Sequence, residues 1–190
     1  MQLNVTNTTL VKSTYKFGKE IPLSYEPLSE TNQYLLESFS CGNLDLDNHI
    51  KRHYNDYNVV TRIVIDTKLL LPVCVYSLCC TAMLVESSNK VYPSPAVEIE
   101  TFAVNESYQD IYFDEDKDSG CISNIIFDKV CWRIMNFTDE YCGANNIVLY
   151  ATEDGYPFYL KSGFQPFPEY VRRDGSRFLD GCKPMFFTLR

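Results

Sequence analysis

Phe158-Tyr159-Leu160-Lys161-Ser162-Gly163-Phe164 is the stretch on which the fold of this chain turns. Pro157 to Lys161 reads as a short helix, set between a short buried strand, Ile147 to Ala151, and an apolar closing strand, Met185 to Leu189. Upstream, apolar residues at Ile122, Ile125, Ile126, Val130, Ile134 and Phe137 predict a long amphipathic helix. It begins near Gly120, runs to about Tyr141 and is ended by Cys142-Gly143. Before it, Val97 to Val104 reads VEIETFAV. Its alternation places Val97, Ile99 and Thr101 on one face of a strand and Glu98, Glu100 and Phe102 on the other. The second half is therefore β-α-β-α-β.

Further upstream, Ile21 to Ser29 carries Pro22 and Pro27 and reads as an edge strand. Helices are expected from about Thr31 to Phe39 and from Leu44 to about Tyr57, the second with Asn43 or Asp45 as N-cap. Val59 to Asp66 and Leu69 to Leu84 read as a hairpin around Asp66-Thr67-Lys68. Residues 1–20 are polar and are expected to be a loose extension or an added edge strand. The expected organisation is an N-terminal extension, 1–20, and a single domain, 21–190, of α/β (α+β) class with a mixed sheet.

Composition narrows the functions. The 190 residues are 45% apolar and 22% charged, ordinary values for a domain that buries a full core. Leu69 to Val85 is apolar but spans 17 residues, short of the ~20 that cross a bilayer, and Pro72, Ser77 and Thr81 interrupt it. A strand is expected there, and no membrane. The eight cysteines form no C-x-x-C pair, and the N-terminus has no apolar secretion signal. Reduced, packed thiols in a cytoplasmic protein are the expectation. His49 and His53 share one helical face, but HIKRH lacks the glutamate that a zinc-protease helix carries inside this motif, with Lys51 and Arg52 in its middle. No metal is expected. The net charge of −8 disfavours nucleic acid as a partner and steers cationic ligands such as amines towards the protein.

Three stretches together resemble the GNAT N-acetyltransferases. Phe158 to Phe164 resembles the family's FY-x-K-x-GF signature. VEIETFAVNESYQ with GCISNIIFDKV resembles its fourth strand, phosphate loop and following helix. Phe39-Ser40-Cys41-Gly42 followed by Leu46-Asp47 is similar to an F-x-CG…LD segment of toxin-like branches. The match covers about residues 20–190. It implies the GNAT acyltransferase fold, a mixed and mostly antiparallel sheet flanked by helices.

The resemblance also implies acetyl-CoA as cosubstrate and an amine as acceptor. An amine with a pKa near ~10 must lose a proton before it attacks. Glu98 stands where several members carry their base, and Glu100 is the reserve, facing the same side. A carboxylate in an apolar cleft can take that proton, directly or through water. Tyr159 stands where the family keeps the phenol that protonates the departing thiolate. Phe102, Ala103 and Val104 fall where the pantetheine arm pairs with the fourth strand. Gly120, Cys121, Ile122, Ser123 and Asn124 fall at the pyrophosphate-binding helix start.

That last segment departs from the family's Q/R-x-x-G-x-G/A pattern. Gly120 matches the first glycine and Ile122 replaces the second. Either Lys117 takes the Q/R place or Gln109 keeps it across an insertion rich in acids: Asp110, Asp114, Glu115, Asp116 and Asp118. Thr152 and Gly155 stand where many members have Asn and Ala. The expected function is N-acetyl transfer from acetyl-CoA to a small-molecule amine or a protein amino group. An aminoacyl-tRNA acceptor would need a basic partner to offset the charge, and the resemblance leaves a homodimer open. The alternative is a catalytically weak GNAT-fold module that binds CoA or regulates.

Overall fold

A computed structural model describes residues 6–168, 171–172 and 181–189. The chain forms two compact units, Met1–Ser77 with Thr101–Phe127 and Leu78–Glu100 with Asp128–Arg190.

The first unit opens with a helix. α1 (Asn7–Thr14) is N-capped by the Thr6 side chain, which accepts from Thr9 N–H, and it buries Val11 completely. A 3-10 turn follows at Gly18–Glu20. Residues 7–20 are therefore neither a loose extension nor an edge strand. The segment is polar because only Val11, Tyr15 and Gly18 face inward.

β1 (Leu23–Pro27) pairs antiparallel with β2 (Val60–Asp66), from Leu23↔Asp66 to Pro27↔Arg62. The expected helix near Thr31–Phe39 is a 3-10 helix, Gln33–Ser38. α2 (Leu44–His53) starts at Asn43, whose side chain accepts from Leu46 N–H. Ile63 and Ile65 of β2 and Val75 of β3 (Leu71–Ser87) pack with Leu35, Leu36, Phe39, Ile50 and Ala103 in one core cluster. The strand order in this unit is β1-β2-β3.

In the second unit β4 (Lys90–Val104) reaches back seven residues beyond the expected start at Val97. Ser88 and Asn89, both with positive φ, turn the chain between β3 and β4. β5 (Asn146–Ala151) pairs parallel with β4, and β8 (Lys183–Thr188) pairs antiparallel with β5. α4 (Tyr156–Lys161) and the two-residue β6 (Gln165–Pro166) lie between them, and β7 (Val171–Arg172) pairs with β3. The order here is β3-β4-β5-β8-β6. Met83, Ala96 and Val148 form its own core cluster.

α3 (Ile122–Glu140) follows its expected periodicity as far as Ile134, but Phe137 is exposed and Thr138 is buried in its place. Ile122, Ile126 and Phe127 are buried in the first unit, Val130 and Ile134 in the second. Trp132 is 60% exposed, and Met135 and Tyr141 are also open to solvent. Among the described residues no helix is long and apolar enough to cross a membrane.

Candidate active site

Each residue of the Phe158–Phe164 stretch has a local task. α4 ends in a Schellman closure: Gly163 N–H donates to Leu160 O at 3.1 Å, and Phe164 N–H to Tyr159 O at 3.1 Å. Gly163 takes the left-handed φ of 88° that this closure needs. Phe164, 2% exposed, then anchors the turn against Phe187 at 5.6 Å between ring centroids. Tyr159 is half-buried, with its ring edge-to-face on Phe158 at 5.3 Å and 6.2 Å from Phe164.

The other side of Tyr159 explains Gly155. A Cβ there would lie 3.3 Å from Tyr159 Cε2 and 3.1 Å from Thr152 Oγ1. Thr152 Oγ1 also accepts Gly155 N–H at 3.2 Å, which closes the turn into α4. Thr152 and Gly155, departures from the family pattern, thus work together to seat the tyrosine.

Glu98 and Glu100 belong to the same unit as Tyr159. Both are half-buried, and they alternate along β4 with the buried Val97 and Ile99. The Cys79 thiol donates to Glu98 Oε2 at 3.9 Å. Burial first, then the charges of Glu98 and Glu100, push the Cys79 thiol up to about 12. Cys79 therefore stays protonated and remains a donor. From sequence, Cys79-Cys80 reads first as packing and second as a redox pair, with no link to Glu98.

The residues expected to hold the donor lie in the first unit. The β4–β5 register runs from Ala96↔Asn146 to Ile99↔Leu149, and β4 continues to Val104. On that continuation Phe102 is half-exposed and stands edge-to-face on Phe127 at 4.9 Å, while Ala103 and Val104 are buried.

At the start of α3 the amides are already engaged. Cys121 N–H donates to Asn124 Oδ1 at 3.0 Å, and Ile122 N–H to Ile111 O at 2.8 Å. Gly120, with φ of 77°, admits the Asn124 side chain, which would lie 3.1 Å from a Cβ. Ile122 is 1% exposed, and its side chain fills the space over Gly18. The second family glycine is thus replaced by a core residue of the N-terminal packing. Ser123 and Asn124 are half-exposed beside it.

Gln109, one of the two candidates for the Q/R place, is engaged with the backbone. Its Nε2 donates to Cys41 O and to Val104 O, both at 2.8 Å, which uses both amide protons. Lys117 places its ammonium over the Tyr112 ring, 5.4 Å from the centroid.

Cys41 sits in a structural turn. Its N–H donates to Asp47 Oδ1 at 2.9 Å, and burial leads in pushing its thiol up to about 12. That bond accounts for the F-x-CG…LD segment. His49 and His53 stack at 4.6 Å, with His53 Nδ1 2.8 Å from Asp56 Oδ2. Among the described residues no group of three or more His, Cys, Asp or Glu side chains is arranged to hold a metal ion.

One cluster had no sequence signal. Asp66, fully buried, accepts from the Tyr15 hydroxyl at 2.8 Å and the Tyr108 hydroxyl at 3.0 Å. It also accepts from the backbone of Lys68 and Leu69. The cluster ties the N-terminal segment to the end of β2 and to the loop after β4.

No protein-family model matches the chain. No curated protein matches either. Solved structures do. A tyrosine-to-phenylalanine mutant of KacT aligns with a TM-score of 0.62 at 15% identity, over 88% of this chain and 95% of that one. AtaTR bound with acetyl-CoA aligns at 0.61 and 18%, over 88% and 93%. AtaT complexed with acetyl-methionyl-tRNA aligns at 0.61 and 17%, over 88% and 95%. At these identities the likeness speaks for the backbone, and the backbone is the GNAT fold, a mixed, mostly antiparallel sheet flanked by helices.

Proposed function

We propose that this protein is an acetyl-CoA-dependent N-acetyltransferase acting in the cytoplasm. The observation that carries the reading is the seat of Tyr159, a half-buried phenol on a Schellman-closed helix of a GNAT fold. Acetyl-CoA supplies the acetyl group as a thioester. Glu98 takes the proton of the acceptor ammonium, directly or through water, with Glu100 in reserve. The neutral amine forms the new C–N bond as the C–S bond breaks, Tyr159 gives its proton to the departing thiolate, and the proton shed by the new amide nitrogen restores the phenol. A backbone N–H of Phe102 to Val104 would steady the oxygen that gains charge.

The acceptor is a primary amine. Small amines and protein amino groups remain the leading classes for an acidic protein. The AtaT complex with acetyl-methionyl-tRNA keeps aminoacyl-tRNA among the candidate acceptors, and a KacTA–DNA complex keeps nucleic acid open as a partner. The test is free-thiol release from acetyl-CoA across polyamines, aminoglycosides, peptide N-termini and aminoacyl-tRNA. Release with one class identifies the acceptor. No release, with no melting shift at millimolar acetyl-CoA, ends this reading.

A second reading has one observation in its favour. The engaged amides of Cys121 and Ile122 suit a module that binds CoA weakly or regulates without efficient transfer. A melting shift with acetyl-CoA, without thiol release from any amine, would select it.

A further inference from the structure

The N-terminal segment and the acidic insertion, the two parts of the chain without a family counterpart, hold each other. Gly18 N–H donates to Tyr112 O at 2.8 Å, and Lys19 N–H to Phe113 O at 2.9 Å. On its other side the same stretch bonds the start of α3. Phe113 N–H donates to Gly120 O at 2.9 Å, and Ile122 N–H to Ile111 O at 2.8 Å, around a Tyr112↔Cys121 bridge. Residues 111–113 thus lie between residues 18–19 and 120–122.

The packing is as close as the hydrogen bonding. A Cβ on Gly18 would lie 3.1 Å from Ile122 Cδ1 and 3.3 Å from Phe113 Cα. The Tyr15–Asp66–Tyr108 bonds and a Thr8–Ser107 contact of 3.2 Å secure the two flanks. The insertion also carries Asp110, Glu115, Asp116 and Asp118 exposed to solvent. Inside it, Asp114 and Asp116 side chains accept from Asp116 and Asp118 N–H, so the loop has a defined turn.

We infer that these two segments form an autoinhibitory clip over the start of α3, which must open before a diphosphate-bearing ligand can use the Ile122 amide. This rests on the acyl-CoA reading above and adds a control to it. With the clip closed, Ile111 O takes the donor that a phosphate oxygen would take, and nearby carboxylates repel a polyanion. A ligand that binds only the open form has its affinity lowered by the open fraction. Loosening the clip therefore tightens binding.

The test uses the full chain and calorimetric titration with coenzyme A, with pantetheine as a probe lacking the diphosphate. Gly18→Val drives a side chain into Phe113 Cα, which cannot rotate away. A second variant replaces residues 111–119, Ile111 included, with a glycine-serine turn, in case the first fails to fold. Each variant that melts cooperatively should bind coenzyme A about tenfold tighter, about 1.4 kcal/mol. Pantetheine affinity should stay unchanged, and the Ile122 amide should exchange faster with deuterium. Unchanged or weaker coenzyme A binding in the folded variants overturns the clip while the acyl-CoA reading stands. Equal tightening of pantetheine also overturns it, since that would be general loosening. If neither wild type nor variants bind coenzyme A, the acyl-CoA reading falls and the clip with it.

Discussion

Tyr159 is constrained from three directions, by Phe158, by Phe164 and by the absent side chain of Gly155. Removing its hydroxyl should leave that packing in place. Tyr159→Phe is expected to keep coenzyme A affinity and the melting temperature and to lower turnover by about 10²-fold, the low end for general acid catalysis. Single-turnover thiol release with the best acceptor measures this, and an unchanged rate with chemistry limiting would make the hydroxyl structural. This residue was legible in the sequence because its neighbours all act within a few positions: Pro157, Gly163 and Phe164 start, stop and anchor one short helix. Asp66 was not. Its two phenol partners lie 51 and 42 residues away, and nothing local separates Tyr15 and Tyr108 from the other tyrosines among fourteen. The position of Glu98 on its strand face was legible from alternation, whereas the thiol of Cys79 beside it depends on the neighbouring strand.

Among the elements, β2, β5 and α4 came within one residue of their expected limits and α3 within two, since a short apolar run and a long 3.6-residue period each have one economical reading. The first half of β4 was hidden by Pro93 and Pro95, which argue against a strand until pairing is known. α1 was hidden by its polarity, because burying Val11 and Tyr15 is enough to dock two turns. The turn between β3 and β4 offers a test of local strain. Ser88 and Asn89 have φ of 50° and 61°, a left-handed pair that suits Asn-Gly. Ser88→Asn with Asn89→Gly should stabilise the protein by about 1 kcal/mol and raise its melting temperature by about 2–4 °C. Scanning calorimetry decides it, and a lowered melting temperature would show that the Ser88 side chain holds the turn.

For the molecule as a whole, the thiols set an alkaline limit. Cys41, Cys79 and Cys131 are each pushed from 9.0 up to about 12, burial being the first cause. Cys74, Tyr15 and Tyr108 are raised as well, again by burial first. In the unfolded chain these thiols lose their protons near the ordinary value, while in the fold they still hold them. The stability they contribute is thus complete below pH 9 and is lost as pH rises towards 12. Denaturation midpoints in urea should be level from pH 7 to 8.5 and then fall steadily. A midpoint that stays level through pH 10.5 would mean that the thiols are far more open than their burial implies.

How such midpoints are read depends on Trp132, the single tryptophan, set on the open side of α3. An indole already wetted in the native state has little wavelength left to gain when the chain unfolds. Its emission maximum should move only slightly across a complete denaturation, and calorimetry or circular dichroism will have to register the transition. The same placement makes it a built-in optical sensor. Anything that comes to lie along the outer surface of α3 dries the indole and shifts its light to the blue, with no label attached.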